Sequence, residues 1–369
     1  MIYLDAAAHE MPLPEALDAF LKMQDLANPS SLHSEGRAAK SALETARATV
    51  AHCLNCEPSE VCFTSGATEA CNWMVHCLDV FSDGVSEIPL YEHHAVLEST
   101  RGEPVVPFGL EGCHTHMLAN NETGEIYDIE SMKKPLKGLF GCDATAAVGH
   151  IPVDFRALGV DYMAFGAHKF GGLHGIGALI VREGSPVTPM ICGGNQERGM
   201  RGGTESVALA CAMAAALEKR CETMYDDIAR ITKLRDDFIT EILRLVPESY
   251  INGPWVICDA SRRLPNNANI SFLGVESQSL VLALSRKGLC ASSGSACTSG
   301  SLEGSYVLRA MGLSEERSRS AVRFSLPYRI TYIEVKRAVE IIVNTVSELR
   351  ALSPACPRYR NFQQGVFTP

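Results

Sequence analysis

Two short segments put reactive side chains where predicted strands end. Cys142-Asp143-Ala144-Thr145 supplies a carboxylate, and Ala164-Phe165-Gly166-Ala167-His168-Lys169-Phe170-Gly171-Gly172 supplies a lysine beside a histidine and glycines. A lysine in that setting could form a Schiff base with pyridoxal phosphate, and an aspartate from the neighbouring strand could keep the pyridine nitrogen protonated, making an electron sink. Each half alone has a plainer reading: His-Lys in a glycine-rich turn is commonly a solvated loop, and Asp after an apolar strand is commonly a helix cap. A third segment, Ala291-Ser292-Ser293-Gly294-Ser295-Ala296-Cys297-Thr298-Ser299-Gly300, sets a cysteine among serines and glycines. With no apolar anchor such a loop would let the thiol approach and withdraw, unless it is only a linker that happens to contain a cysteine.

These residues need a scaffold. Residues 36–54 carry Ala38, Ala42, Ala46 and Val50 with charges between them and predict an amphipathic helix. Residues 61–63 read as a short buried strand, followed by Ser65-Gly66 and a helical run over 67–78. Strand, glycine turn and helix N-terminus form an anion-binding arrangement, because the first N–H groups lack intrahelical acceptors and the dipole favours negative charge. Further strands precede Asn120, Asp143 and His168, and residues 177–181 follow as another. Short apolar strands alternating with helices predict an α/β fold with a mostly parallel central sheet covered by helices, and ligands at the carboxyl ends of its strands. Residues 206–245 read as mainly helical, and the turn at 250–254 suits a boundary between a large domain, 1–248, and a smaller α+β C-terminal domain, 249–369.

Composition narrows the class. At 369 residues the chain has room for two domains, and a formal charge of −10 gives no electrostatic footprint for direct nucleic-acid binding. The start lacks a basic segment followed by an apolar one, and the apolar run over 207–217 is too short to span a bilayer, so no membrane association and a cytoplasmic location are expected. Fourteen cysteines in a chain of this size do not read as a secreted disulfide framework. Cys53-Leu54-Asn55-Cys56 is the only C-x-x-C, so no metal site is expected, and most cysteines are taken as small buried apolar residues. Cys113-His114-Thr115-His116 could ligate a metal, but a strand with alternating exposed histidines is preferred.

The motifs together are more specific than any one of them. Tyr3-Leu4-Asp5, Asn28-Pro29-Ser30-Ser31-Leu32-His33, Thr64-Ser65-Gly66-Ala67-Thr68-Glu69, Glu92-His93 and Asn120-Asn121-Glu122 precede the aspartate and lysine segments. Glu197-Arg198-Gly199-Met200-Arg201, Gly203-Thr204, the Cys297 segment and Val322-Arg323-Phe324-Ser325-Leu326 follow them. In this order they resemble the cysteine desulfurases of the NifS/IscS kind, within the class V aminotransferases, which are fold-type I pyridoxal phosphate enzymes. The resemblance implies a homodimer that converts L-cysteine to L-alanine and passes sulfur as a persulfide to an acceptor protein, either an iron–sulfur scaffold or a tRNA-thiolation carrier. It makes 1–248 the cofactor-binding domain and 249–369 the domain carrying the catalytic loop, with the extreme N-terminus packing on the smaller one. Selenocysteine lyase, another lyase of the class, or a weakened relative serving as a sulfur-pathway scaffold are the alternatives.

By the same resemblance Lys169 holds the cofactor and later moves protons, Asp143 pairs with the pyridine nitrogen, and His93 covers the ring face and assists acid–base steps. Asn121 sits near the ring hydroxyl or the substrate carboxylate. Phosphate contacts come from Ala67, Thr68 and His168, and from Thr204 across a dimer interface. Arg323 clamps the substrate carboxylate, for which a planar two-pronged donor is matched. Cys297, as thiolate, is the nucleophile that takes the sulfur. Without the resemblance, His93 would read as a helix cap, Asn121 as a turn, and Arg323 as half of a structural salt bridge.

Three departures qualify this. Ala146 stands where the family usually has glutamine, Gly166 where it has serine, and His9 and Glu10 replace a threonine-bearing turn. The first two remove side-chain hydrogen bonds to the cofactor and imply looser retention. The interval between His93 and Asn121 is also abbreviated: it holds a helix from Ala95, a strand near 104–108 and a second strand before Asn120. A parallel crossover needs roughly a dozen residues or more, so 110–116 can hold only a tight connection.

Overall fold

The computed structural model describes residues 1–81, 88–99, 114–136, 138–294 and 304–352. The chain divides into two compact units, a larger one of 9–121 with 126–226 and a smaller one of 1–8, 122–125 and 227–369. The division falls inside the helix Val207–Leu245. The expected strand near 104–108 lies outside the described residues.

The larger unit is built on a five-stranded sheet in the order Val61–Thr64, Gly177–Val181, Tyr162–Gly166, Phe140–Asp143, His114–Thr115. Gly177–Val181 runs antiparallel to both its neighbours, and the other four strands share one direction. The reversal follows from chain length: residues 167–176 contain only one turn of 3-10 helix, Ala167–Lys169, and are too few for a parallel crossover. Both faces are buried. On one, the helix Ala67–Phe81 lays Ala70, Cys71, Trp73, Met74, Cys77 and Leu78 against Cys62, Tyr162, Ala164 and Leu179. On the other, Val61, Phe63, Met163, Phe165, Ala178 and Ile180 alternate with these and are equally buried.

The helix expected over 36–54 forms as Ser34–Cys53, but its buried face is not the expected one. Ala39, Leu43, Ala46, Arg47 and Val50 are buried, whereas Ala38 is exposed. A strict four-residue repeat advances 40° per step on a helix of 3.6 residues per turn, so the row runs off the buried stripe: Ala46 and Val50 lie on it, Ala42 at its edge and Ala38 outside.

In the smaller unit a four-stranded antiparallel sheet runs Ser292–Ser293, Ala321–Ser325, Asn267–Phe272, Ser249–Ile251. Ile2–Tyr3 pairs in parallel with Leu289–Cys290. Phe238, Phe272 and Phe324 stack edge to face at 5.3 and 6.3 Å at the centre of its core, beneath the helices Ser277–Arg286 and Tyr332–Leu352. Among the described residues no helix is long and apolar enough to cross a membrane.

Candidate active site

The carboxyl ends of the larger unit's parallel strands gather most of the expected site residues. Asp143 ends its strand opposite Ala164, two residues before Gly166. The chain then turns through Ala167–Lys169. The amide N–H of Leu118 donates to the Asp143 carbonyl at 2.9 Å, which brings the segment leading to Asn120 and Asn121 alongside. Asn120, fully buried, donates to the Tyr91 carbonyl at 3.3 Å and so ties that segment to Glu92 and His93. Ala67 closes the ring: a Cβ built on Gly166 would lie 3.1 Å from both its nitrogen and its Cβ.

Asp143 is buried, accepts from the Thr145 amide at 2.9 Å and bonds the Cys71 thiol. Its other close charged neighbour is Glu92, also fully buried, whose carboxyl is pushed well above the ordinary range by burial and by Asp143. Burial first, and then the charge of Asp143, thus hold Glu92 toward its protonated form. Asp143 has no cationic partner among the described residues. A buried carboxylate without one is costly, and a protonated pyridine nitrogen would supply the missing charge. The hydroxyl of Thr145 is buried without a hydrogen-bond partner and could donate to a phosphate or phenolate oxygen. The donor set therefore fits pyridoxal phosphate.

Lys169 and His168 are half-buried. The carbonyl of Lys169 accepts from Nε2 of His150 at 2.8 Å, a buried histidine held neutral because burial, then Arg220, pushes its pKa to about 3. Arg220 in turn donates from Nε to the Gly149 carbonyl at 3.1 Å. His150 was missed by sequence reasoning, since its partner is a backbone carbonyl 19 residues away and no side-chain motif marks it. His168 is pushed to about 4 by burial and by Lys169, and stacks on His174 at 5.2 Å, which stacks on His9 at 4.1 Å. The unusual His9 thus enters a column of three imidazoles, and Glu10 donates its amide to the His168 carbonyl at 3.0 Å.

His93 caps the short helix His94–Leu97, with Nδ1 accepting from the Ala95 amide at 3.1 Å. Its plainer reading is therefore realised, and any proton exchange there must use Nε2. His116 corrects an expectation: the chain does form the strand His114–Thr115, but His116 is fully buried, not exposed. Its Nδ1 donates to the Met117 carbonyl at 2.8 Å and its Nε2 accepts from Tyr91 Oη at 3.0 Å, with the pKa pushed by burial to about 4. Among the described residues no group of three or more His, Cys, Asp or Glu is placed to hold a metal.

Thr204 is exposed, beyond a loop that is tied down at several points. Glu197, held in left-handed backbone at φ 45°, meets the buried Arg47 through two bonds of 2.7 and 2.9 Å. Arg201 pairs with Glu69 at 2.8 and 3.0 Å, and Arg198 donates to the Val61 carbonyl at 2.7 Å. These arginines are framework groups.

In the smaller unit, Arg323 lies in the strand Ala321–Ser325, mostly buried, with Nη2 3.2 Å from Asp5 Oδ1. Cys297 lies outside the described residues. Its flanks are visible: Ser305 donates to Oε2 of Glu122 at 2.5 Å, and a Cβ on Gly294 would collide with the same oxygen. The Glu122 carbonyl is held by the side-chain amides of Asn267 and Asn269 at 3.0 and 3.1 Å. Burial raises the Glu122 carboxyl to about 7.

The profile of the family Aminotransferase class-V matches residues 2–101 and 114–338. The chain belongs to this family. The break in the match, 102–113, falls between His93 and Asn121, in the abbreviated interval. Cysteine desulfurase IscS of Dictyoglomus turgidum is 38% identical to it, the alignment covering 96% of each chain. A solved NifS-like protein superposes with a TM-score of 0.84 at 29% identity, covering 94% of this chain and 99% of the other. SspA, solved in complex with cysteine, gives a TM-score of 0.72 at 26% identity over 90% of this chain and 100% of that one. Class V members of this kind are pyridoxal-phosphate enzymes, in agreement with the donor set around Asp143 and Lys169.

Proposed function

We propose that this class V aminotransferase is a cysteine desulfurase that converts L-cysteine to L-alanine and passes the sulfur to Cys297 as a persulfide. The observation that carries the reading is the buried carboxyl group of Asp143, in no salt bridge among the described residues, beside a lysine whose carbonyl accepts from a neutral histidine. The names of the similar desulfurases and the cysteine bound to SspA support the substrate. When bound, pyridoxal phosphate would supply an electron sink for charge developing at the substrate α-carbon. Asp143 would keep the ring nitrogen protonated. Lys169 would hold the cofactor and carry the α proton, His93 would assist through Nε2, and Ala67, Thr68, His168 and Thr204 would meet the phosphate. Asn121 and Arg323 would orient the substrate carboxylate.

The Cys297 thiolate would attack the substrate sulfur, forming an S–S bond as the C–S bond breaks, with the electron pair passing to the departing three-carbon fragment. A homodimer, an acceptor protein that discharges the persulfide, a cytoplasmic location and a division of labour between 1–248 and 249–369 belong to the same reading.

The test is alanine formation from L-cysteine by the purified protein, with a thiol present to discharge the persulfide. Borohydride should fix a pyridoxyl group on the peptide containing Lys169, and label on another lysine would refute that role. Cys297→Ala should keep the cofactor's absorbance and lose sulfide release. Turnover near the wild-type rate in that variant would exclude Cys297 as acceptor.

A further inference from the structure

Helix Ser34–Cys53 ends on a cysteine, and helix Val207–Leu245 brings Cys221 onto it. Cys221 Sγ donates to the Cys53 carbonyl at 4.0 Å, and the two thiols hydrogen-bond each other. Both are free and half-buried, and both line a cavity of about 320 Å³ in the larger unit. Leu217, Met224 and Tyr225 form an apolar side of it, and Asn55 and Asp154, paired at 2.9 Å, form a polar rim.

The other described cysteines do not combine contact with access. Cys62, Cys71, Cys77 and Cys142 are fully buried, and Cys56, the C-x-x-C mate of Cys53, is buried and pushed up to about 12 by burial. The Cys221 thiol is lowered, first by the bond from Cys53 and then by Arg220, whereas Cys53 is raised by the same bond and by burial. A thiol whose ionisation is favoured, in contact with one held protonated, is the arrangement of a reactive dithiol.

We propose that Cys53 and Cys221 are a redox-active dithiol that closes to an intramolecular disulfide by exchange with a low-molecular-weight disulfide of the glutathione class admitted at this cavity. The Cys221 thiolate attacks one sulfur of the small disulfide, forming a mixed disulfide and expelling one thiolate, which takes up a proton. Cys53 then gives its proton to the medium and attacks the Cys221 sulfur, expelling the second thiolate. Two protein thiols are oxidised and one small disulfide is reduced to two thiols. The bond would tie the two helices together on the larger unit, independently of the desulfurase reading.

The test uses the full-length protein loaded with its cofactor. After incubation with excess oxidised glutathione, alkylation and digestion should yield a peptide pair joined through Cys53 and Cys221. Cys53→Ser should instead accumulate glutathione on Cys221, and Cys221→Ser should leave Cys53 unmodified over the same interval. The wild-type result needs no substitution, so a variant that folds poorly does not decide the outcome. Recovery of both residues alkylated, or of a disulfide joining other cysteines, overturns the proposal, and glutathione on Cys53 in place of Cys221 overturns the order of attack.

Discussion

A side chain at position 166 has to find room in a corner already filled by backbone. Gly166 pairs with Gly177, whose own Cβ would lie 2.6 Å from the carbonyl carbon of Gly66. A Cβ on Gly166 would press Ala67, where the helix Ala67–Phe81 begins, to 3.1 Å. The two departures from the family's usual residues therefore separate. Ala146→Gln adds an amide beside the partnerless Thr145 hydroxyl, and a hydrogen bond to a charged group contributes about 1.5–3 kcal/mol, so cofactor retention should tighten roughly ten- to a hundredfold. Gly166→Ser should leave retention unchanged or weaken it. Dissociation of pyridoxal phosphate, followed by absorbance, checks both, and an equal gain in Gly166→Ser would mean that Ala67 yields at no cost. Lys169, Asp143 and His93 each stand in a local motif that the sequence displays, and the structure places them on the larger unit. His150 and Thr145 act through backbone placement and burial, which a single sequence does not display.

Between elements, charge does the fastening. The Arg47–Glu197 pair is fully buried and holds the left-handed turn of the loop that leads to Thr204. Removing one partner leaves the other as an uncompensated buried charge, so Arg47→Ala should cost roughly 3–5 kcal/mol in denaturant unfolding. The double variant with Glu197→Ala should cost less than the sum of the two single changes; additive costs would show that the pair is not coupled. Glu122 fastens differently, joining the flanks of the Cys297 segment through Ser305 and Gly294. Its folded pKa, about 7, is raised above the ordinary 4.5, so the stability it contributes is present below 4.5 and is lost as pH rises through 7. Glu122→Gln should flatten that decline between pH 5 and 8, measured by denaturant midpoint; an unchanged slope would assign it to other groups. Sequence pattern located these elements but not their orientation. The antiparallel strand Gly177–Val181 and the rotated face of Ser34–Cys53 follow from connection length and helical pitch, which a reading by apolar spacing did not apply.

At the scale of the chain, the boundary between compact units was the least legible feature. Val207–Leu245 is one uninterrupted helix, so no turn residue marks Asp226, and the division arises because Ile231, Phe238 and Ile242 join the core of the smaller unit. Titration should reveal this division. His150 and His116, both in the larger unit, are buried neutral with pKa values pushed from 6.5 to about 3 and about 4. A depressed histidine contributes stability that is present above 6.5 and lost as pH falls through the folded value. Glu92, raised in the same unit, opposes this by favouring its protonated form as pH falls, but two histidines outnumber it over the window from 6.5 to 4. The larger unit should therefore weaken on acidification while Glu122 favours the smaller one. His150→Gln keeps a side-chain N–H donor for the Lys169 carbonyl and removes the titration. Between pH 7 and 5 it should recover on the order of 2 kcal/mol of the stability that wild type loses, read from denaturant midpoints at the two pH values. A variant as acid-sensitive as wild type would show that His150 is protonated without cost, and the neutral histidine behind Lys169 would then have to be abandoned.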